Sequence, residues 1–194
     1  MPEEPLLDFL AVMRRLRVEC PWKSEQTHRS LARYLLEETH ETLEAIDSGD
    51  DAHLREELGD LLLQVYFHAV IAEPRGAFTL DDVARDITAK MHRRNPHVFG
   101  DPEADHPQDA AGVDEVWQAI KAQEKQRDSV TDGLPETLPA LLYATKALER
   151  GAVPREVRPG QEDLGDRLLA LVREAVDAGA DAEQALRDAV RRSG

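Results

Sequence analysis

Residues 35–64 read LLEETHETLEAIDSGDDAHLREELGDLLLQ and carry two acidic signatures, Glu37-Glu38-Thr39-His40-Glu41 and Glu57-Leu58-Gly59-Asp60. At 3.6 residues per turn, Glu38 and Glu41 share one side of a helix, and Glu57 and Asp60 share one side of the next. On a wheel of about 100° per residue, Leu31, Tyr34, Leu35, Thr42, Ala45 and Ile46 form an apolar arc with Glu38 near its middle and Glu41 at its edge. Glu57 and Asp60 flank the arc of Leu54, Leu58, Leu61 and Val65. The turn Ser48-Gly49-Asp50-Asp51 is short enough to fold the helices antiparallel, with Gly49 as a C-terminal cap and Asp50 or Asp51 as the next N-cap. Four carboxylates are then expected on one patch.

Burying an ionised carboxylate costs several kcal/mol unless a cation meets it. Four oxygen donors with no Cys and no obligatory His suit a hard cation, Mg²⁺ or Mn²⁺. Mg²⁺ completes its octahedron with water and phosphate oxygens, so a metal-dependent reaction on a phosphate ester or phosphoanhydride is the natural use. Acidic residues at helical spacing also make ordinary solvated faces, and Glu37, Glu44, Asp47 and Glu56 read that way. Position against the apolar arcs separates Glu38, Glu41, Glu57 and Asp60 from them.

The remaining composition narrows the class. Over 194 residues, helix-period apolar patterning recurs with few aromatics, which predicts an all-α fold. No apolar run has the length of a membrane span, and no basic segment precedes an apolar core at the N-terminus, so no membrane partner and a cytoplasmic location are expected. The single Cys20 excludes an internal disulfide framework and reads as a small packed residue. A formal net charge of −15 argues against a nucleic-acid polymer as partner and requires local cations wherever a polyanionic substrate binds.

Around the acidic pair, an amphipathic helix is expected from Pro5 to Arg17 with Leu6, Phe9, Leu10, Met13 and Leu16 on one face. A connection follows over 20–27, in which Trp22 packs on the bundle end. The second acidic helix continues through Leu61, Leu62, Leu63, Val65, Phe67, Val70 and Ile71, which surround its axis. A helix apolar all round needs cover on every side, so a homodimer is expected, with His68 as an interior histidine. Thr79 to Asp82 reads as a capping box opening a helix with the buried row Val83, Ile87 and Met91. That helix ends in Lys90, Arg93 and Arg94, which suit either phosphate contact or the C-terminal helix dipole. A loop over 96–101, a polar excursion over 102–108, a helix from 109 to 127 and another from 138 to 150 complete the reading. The domains expected are 1–127 for the site, 128–162 as bridging helix and linker, and 163–194 as a degenerate partial repeat. In that tail Asp163-Leu164-Gly165-Asp166, followed by Leu168 and Leu169, echoes Glu57-Leu58-Gly59-Asp60, followed by Leu62 and Leu63. No first acidic motif accompanies it, since Ala144 and Ala147 stand at the matching distance.

Cys20-Pro21-Trp22 with Gln26-Thr27, the two acidic motifs, Asp60-Leu61-Leu62-Leu63-Gln64-Val65, Phe67-His68-Ala69 and the run Arg93 to Asp101 form an ordered set that resembles the MazG family of nucleoside triphosphate pyrophosphohydrolases. The resemblance implies a four-helix-bundle core completed by homodimerisation. It also implies Mg²⁺-dependent hydrolysis of NTPs or dNTPs to the monophosphate and pyrophosphate, a chemistry that serves house-cleaning of aberrant nucleotides. Glu38, Glu41, Glu57 and Asp60 match the family's metal ligands. Lys90, Arg93 and Arg94 match its phosphate-binding cations, Trp117 and Lys121 match a later substrate-binding pair, and Trp22 and Gln26 a further substrate region. Narrower dUTP/dCTP or phosphoribosyl-ATP hydrolysis, or a non-catalytic nucleotide-binding regulatory module, are the alternative readings.

Overall fold

The computed structural model describes residues 4–101, 103, 107, 109–124, 132–152 and 163–193. Helices α1 (Pro5–Glu19), α2 (Pro21–Glu25), α3 (His28–Ser48), α4 (Asp51–Ala72), α5 (Leu80–Arg94), α6 (Pro96–Phe99), α7 (Ala110–Glu124), α8 (Ala140–Glu149), α9 (Leu164–Asp177) and α10 (Ala182–Ser193) follow in order, with a 3-10 turn at Glu73–Arg75. No strand occurs among the described residues, so the fold is all-α. None of the described helices is long and apolar enough to cross a membrane. The chain divides into one unit over Met1–Ile120 and a second over Lys121–Gly194.

Local chemistry sets the helix ends. Thr27 and Ser30 exchange hydrogen bonds as a capping box at the start of α3. Gly49, with φ at 70°, ends that helix in the left-handed region that disfavours a Cβ. Asp50 Oδ1 then accepts from the N–H groups of Ala52 and His53 at 2.9 and 3.3 Å, starting α4. This hairpin makes α3 and α4 the most extensively packed helix pair of the chain. Thr79 and Asp82 form the expected box that opens α5.

The core of the first unit gathers Leu10 and Met13 from α1, Leu31 from α3, and Tyr66, Phe67, Val70 and Ile71 from α4, with Phe9, Leu16, Tyr34, Leu63 and Leu80 packed against it. Tyr66 also ties α4 to α1 by donating to the Leu6 carbonyl at 3.1 Å. Three expectations need correction. Val83 and Ile87 are exposed, as are Leu6, Leu35 and Ile46, because none of the described residues of this unit covers those faces. Pro96–Phe99 forms a helical turn where a loop was expected, since proline fits the first helical position and Asn95 supplies carbonyl acceptance to the N–H groups of Val98 and Phe99. Pro21 opens α2 for the same reason. The expected excursion over 102–108 lies largely outside the described residues, as do 125–131 and 153–162.

In the second unit, α8, α9 and α10 pack on one another, with Leu134, Ala147 and Val172 buried. The echo of the second acidic motif has a different use here. Asp163 and Asp166 exchange backbone hydrogen bonds as a capping box at the start of α9, so both carboxylates serve a helix terminus.

His68 is a bonded interior histidine, with its Nδ1 2.7 Å from His28 Nδ1 and the ring planes 13° apart. Arg75 Nη2 donates to His28 Nε2 at 2.9 Å, which leaves the His28 proton on Nδ1 to be donated to His68. Burial first, and the neighbouring His28 second, hold the His68 pKa below its ordinary value. As pH falls below about 6.5, the unfolded chain therefore takes up the proton before the folded one. The stability due to this group is complete above that pH and declines as pH falls towards the lower folded pKa. Urea midpoints at pH 7.5, 6.0 and 5.0 should drop less steeply in His68→Gln than in the native chain, and identical slopes would show that His68 does not titrate in this way.

Candidate functional site

The α3–α4 hairpin places one carboxylate pair on each helix and turns them toward each other. Oxygens of Glu38, Glu41 and Glu57 all lie within 4.8 Å of one another. Asp60 is close enough to Glu38 to raise its pKa, which stands above the ordinary glutamate value through burial first, then the charges of Asp60 and Glu41, and a hydrogen bond with Glu41. The four acids are thus one electrostatic cluster. Glu41 is exposed, Glu38 half-buried, and the Glu57 side chain only 12% exposed.

Ligands of an octahedral Mg²⁺ at about 2.1 Å lie roughly 3.0 Å apart when adjacent and 4.2 Å when opposite. Three carboxylate oxygens within 4.8 Å need only small side-chain rotations to reach that spacing, and the donor set is hard oxygen throughout. The residues present therefore fit a Mg²⁺ or Mn²⁺ ion, with Glu38, Glu41 and Glu57 as holders and Asp60 beside them.

Two neighbours of the cluster carry signals that acidic spacing alone does not pick out. His53 Nε2 stands 3.2 Å from Glu57 Oε1, one turn earlier on α4, and orients that carboxylate. Gln64, one turn beyond Asp60, is 4% exposed, and its Oε1 has no hydrogen-bond partner among the described residues. A His four before Glu57, and an amide inside an otherwise apolar run, were the available clues.

The cationic and aromatic candidates divide. Lys90 and Arg94 share a face of α5 one turn apart, and α5 packs on α4. Arg94 is buried, and its guanidinium lies 5.1 Å from the centre of the Trp117 ring on α7, so these two candidates are brought together. Arg93 is exposed on another side of α5, and Lys121 is half-buried one turn after Trp117. Trp22 is 47% exposed, with its ring at 77° to that of Tyr34, the centroids 5.9 Å apart, and Lys23 Nζ above it at 5.3 Å. Gln26 is committed locally, its Nε2 donating to the Trp22 carbonyl and its Oε1 accepting from Ser30.

Residues 26–99 match the family model of the MazG nucleotide pyrophosphohydrolase domain. The chain is 45% identical over 195 residues to an uncharacterised 26.1 kDa protein of Streptomyces cacaoi, covering 97% of this chain and 79% of that protein. It is 44% identical over 192 residues to a nucleoside triphosphate pyrophosphohydrolase of Mycobacterium tuberculosis, covering 96% of this chain but 55% of the relative, so it spans little more than half that protein's length. A nucleoside triphosphate pyrophosphohydrolase/pyrophosphatase MazG of Thermotoga maritima is 38% identical over 217 residues, covering 95% of this chain and 81% of the relative. A solved structure of a mazG-related protein from Thermotoga maritima superposes with a TM-score of 0.50 at 25% identity, covering 62% of this chain and 99% of that one. The chain belongs to the MazG family.

Proposed function

We propose that this protein hydrolyses nucleoside or deoxynucleoside triphosphates to the monophosphate and pyrophosphate with Mg²⁺, Mn²⁺ being an alternative. The observation that carries this reading is the convergence of Glu38, Glu41 and Glu57 within 4.8 Å, in a family whose relatives bear the name of that activity. A divalent cation held there would offset the triphosphate charge and acidify an attacking water. The protein's own residues do the rest. A carboxylate oxygen not bound to the cation accepts the proton from that water, and His53 keeps Glu57 in place. Lys90 meets phosphate oxygens and stabilises the charge that grows on the pyrophosphate, while Arg94, stacked on Trp117, holds that indole in position.

The same reading includes a homodimer. Leu58, Leu62 and Val65 form a stripe along α4 that is 50%, 36% and 42% exposed in the single chain, and Leu35, Ile46, Val83 and Ile87 add to the exposed apolar surface of this unit. Such an extent of apolar surface marks an association face. Leu62→Glu should convert the dimer to a monomer in analytical ultracentrifugation; an unaltered dimer would place the contact elsewhere.

The reaction itself is tested by product analysis. Incubation of dNTPs with the protein and Mg²⁺ in ¹⁸O-water should give monophosphate and pyrophosphate together, stopped by EDTA, and the label identifies the phosphorus attacked. Diphosphate and orthophosphate would contradict the proposal, and nucleotide binding without turnover would replace it with a regulatory module.

A further inference from the structure

Gln64 is 4% exposed, and its Oε1 has no hydrogen-bond partner among the described residues. Leaving a buried amide oxygen unpaired is costly, so the polar neighbours of Gln64 on α4 bear on what it serves. Asp60, Gln64 and His68 stand four residues apart and fall within about 80° of the helix circumference. Long side chains on a helix lean toward its N-terminus and meet the residue one turn earlier. His68 is thus placed to reach back to Gln64, and Gln64 to Asp60.

The hydrogen bonds at the far end of this row have a fixed direction. Arg75, in the turn after α4, is a pure donor, and its Nη2 stands 2.9 Å from His28 Nε2. His28 then carries its proton on Nδ1 and donates it to His68 Nδ1 at 2.7 Å. A neutral His68 that accepts at Nδ1 keeps its own proton on Nε2, and burial beside His28 favours that neutral form. The donor that emerges is what Gln64 Oε1 requires, one turn earlier. Beyond it, the Gln64 amide still has two N–H groups to give, and an ionised Asp60 can only accept. Asp60 is also the acid with most need of orientation, since oxygens of Glu38, Glu41 and Glu57 converge within 4.8 Å while Asp60 acts on Glu38 from beside them.

We infer that Gln64 is the positioning residue for Asp60, at the end of a one-way hydrogen-bond relay that runs Arg75, His28, His68, Gln64, Asp60. Gln64 Nε2 donates to one Asp60 oxygen and leaves the other to face the cation. Partners of this kind, behind a metal-binding carboxylate, fix its direction and raise the affinity of the site. The inference rests on the proposed cation site and adds to it a support drawn through the α3–α4 interface.

Mn²⁺ binding to the full chain, read from the electron paramagnetic resonance of the free ion, tests this without turnover. Gln64→Leu and Gln64→Met keep the bulk of the side chain and end the relay. Both should weaken Mn²⁺ binding about tenfold while remaining helical by circular dichroism and melting close to the native chain in EDTA. His68→Phe breaks the relay one link earlier and should also weaken binding. Combined with Gln64→Leu it should add little further loss, because a single chain is already interrupted. A merely structural role would lower affinity only in step with the melting temperature, and its losses would add. Native Mn²⁺ affinity in both Gln64 variants, or additive losses in the double variant, would overturn the inference and leave the cation site standing. No Mn²⁺ binding by the native chain, or undiminished binding by Glu41→Ala, would remove the cation site and this inference with it.

Discussion

Glu38→Gln is expected to abolish metal-dependent hydrolysis while leaving a folded chain that resists heat better than the native one in EDTA. The native cluster crowds carboxylates of Glu38, Glu41 and Glu57 within 4.8 Å, with Asp60 also acting on Glu38. Without a cation they repel one another. Removing one charge at such a distance relieves about 1 kcal/mol in a water-like dielectric, or roughly 2–4 °C for a chain of this size. On the proposed reading the same change also deletes a metal ligand, and loss of the cation's electrostatic contribution should lower turnover by about 10³-fold or more, some 4 kcal/mol of barrier. Thermal melts with EDTA and with Mg²⁺, beside pyrophosphate assays, check both halves. Mg²⁺ should raise the native melting temperature and leave the variant's unchanged. A variant that turns over normally, or melts lower than native in EDTA, would remove Glu38 from the cation site.

Phe67→Ala is expected to cost about 3–5 kcal/mol of stability. The Phe67 ring is 2% exposed at the centre of the α1, α3 and α4 core, with the Trp22 ring 6.4 Å away and Lys23 Nζ 5.2 Å from its centre. Truncation leaves a cavity that the surrounding helices cannot close without moving α2. Against a typical net stability of about 5–15 kcal/mol, one residue then holds a large share. Urea unfolding should show the midpoint falling sharply, whereas Leu36→Ala, exposed on α3, should shift it little. A loss below about 1 kcal/mol for Phe67→Ala would mean that the core is organised elsewhere.

The hairpin that bears the acids was legible because each determinant is local. Gly49 needs a positive φ, Asp50 caps two amides, and helical periodicity fixes which carboxylates face inward. The exposure of Val83 and Ile87 was not legible, because periodicity marks an apolar face without saying whether the same chain covers it. Gln26 and Asp166 show a second limit. Both carry side chains suited to binding, yet local backbone or hydroxyl partners claim them, and such competition depends on where a helix begins. The stacking of Arg94 on Trp117 joins residues far apart in sequence, so spacing alone could not pair them. Gln64 lay in plain sight as an amide among leucines and valines, but the absence of a partner for its Oε1 among the described residues needs three dimensions to detect.

The most direct measurement is pyrophosphate release by the purified chain from common and oxidised NTPs and dNTPs, with Mg²⁺, Mn²⁺ or EDTA, beside Glu41→Ala. The acidic cluster predicts release that requires the divalent cation and disappears in the variant while its helicity is retained. Release that persists in EDTA or in Glu41→Ala, or no release from any nucleotide, would contradict it.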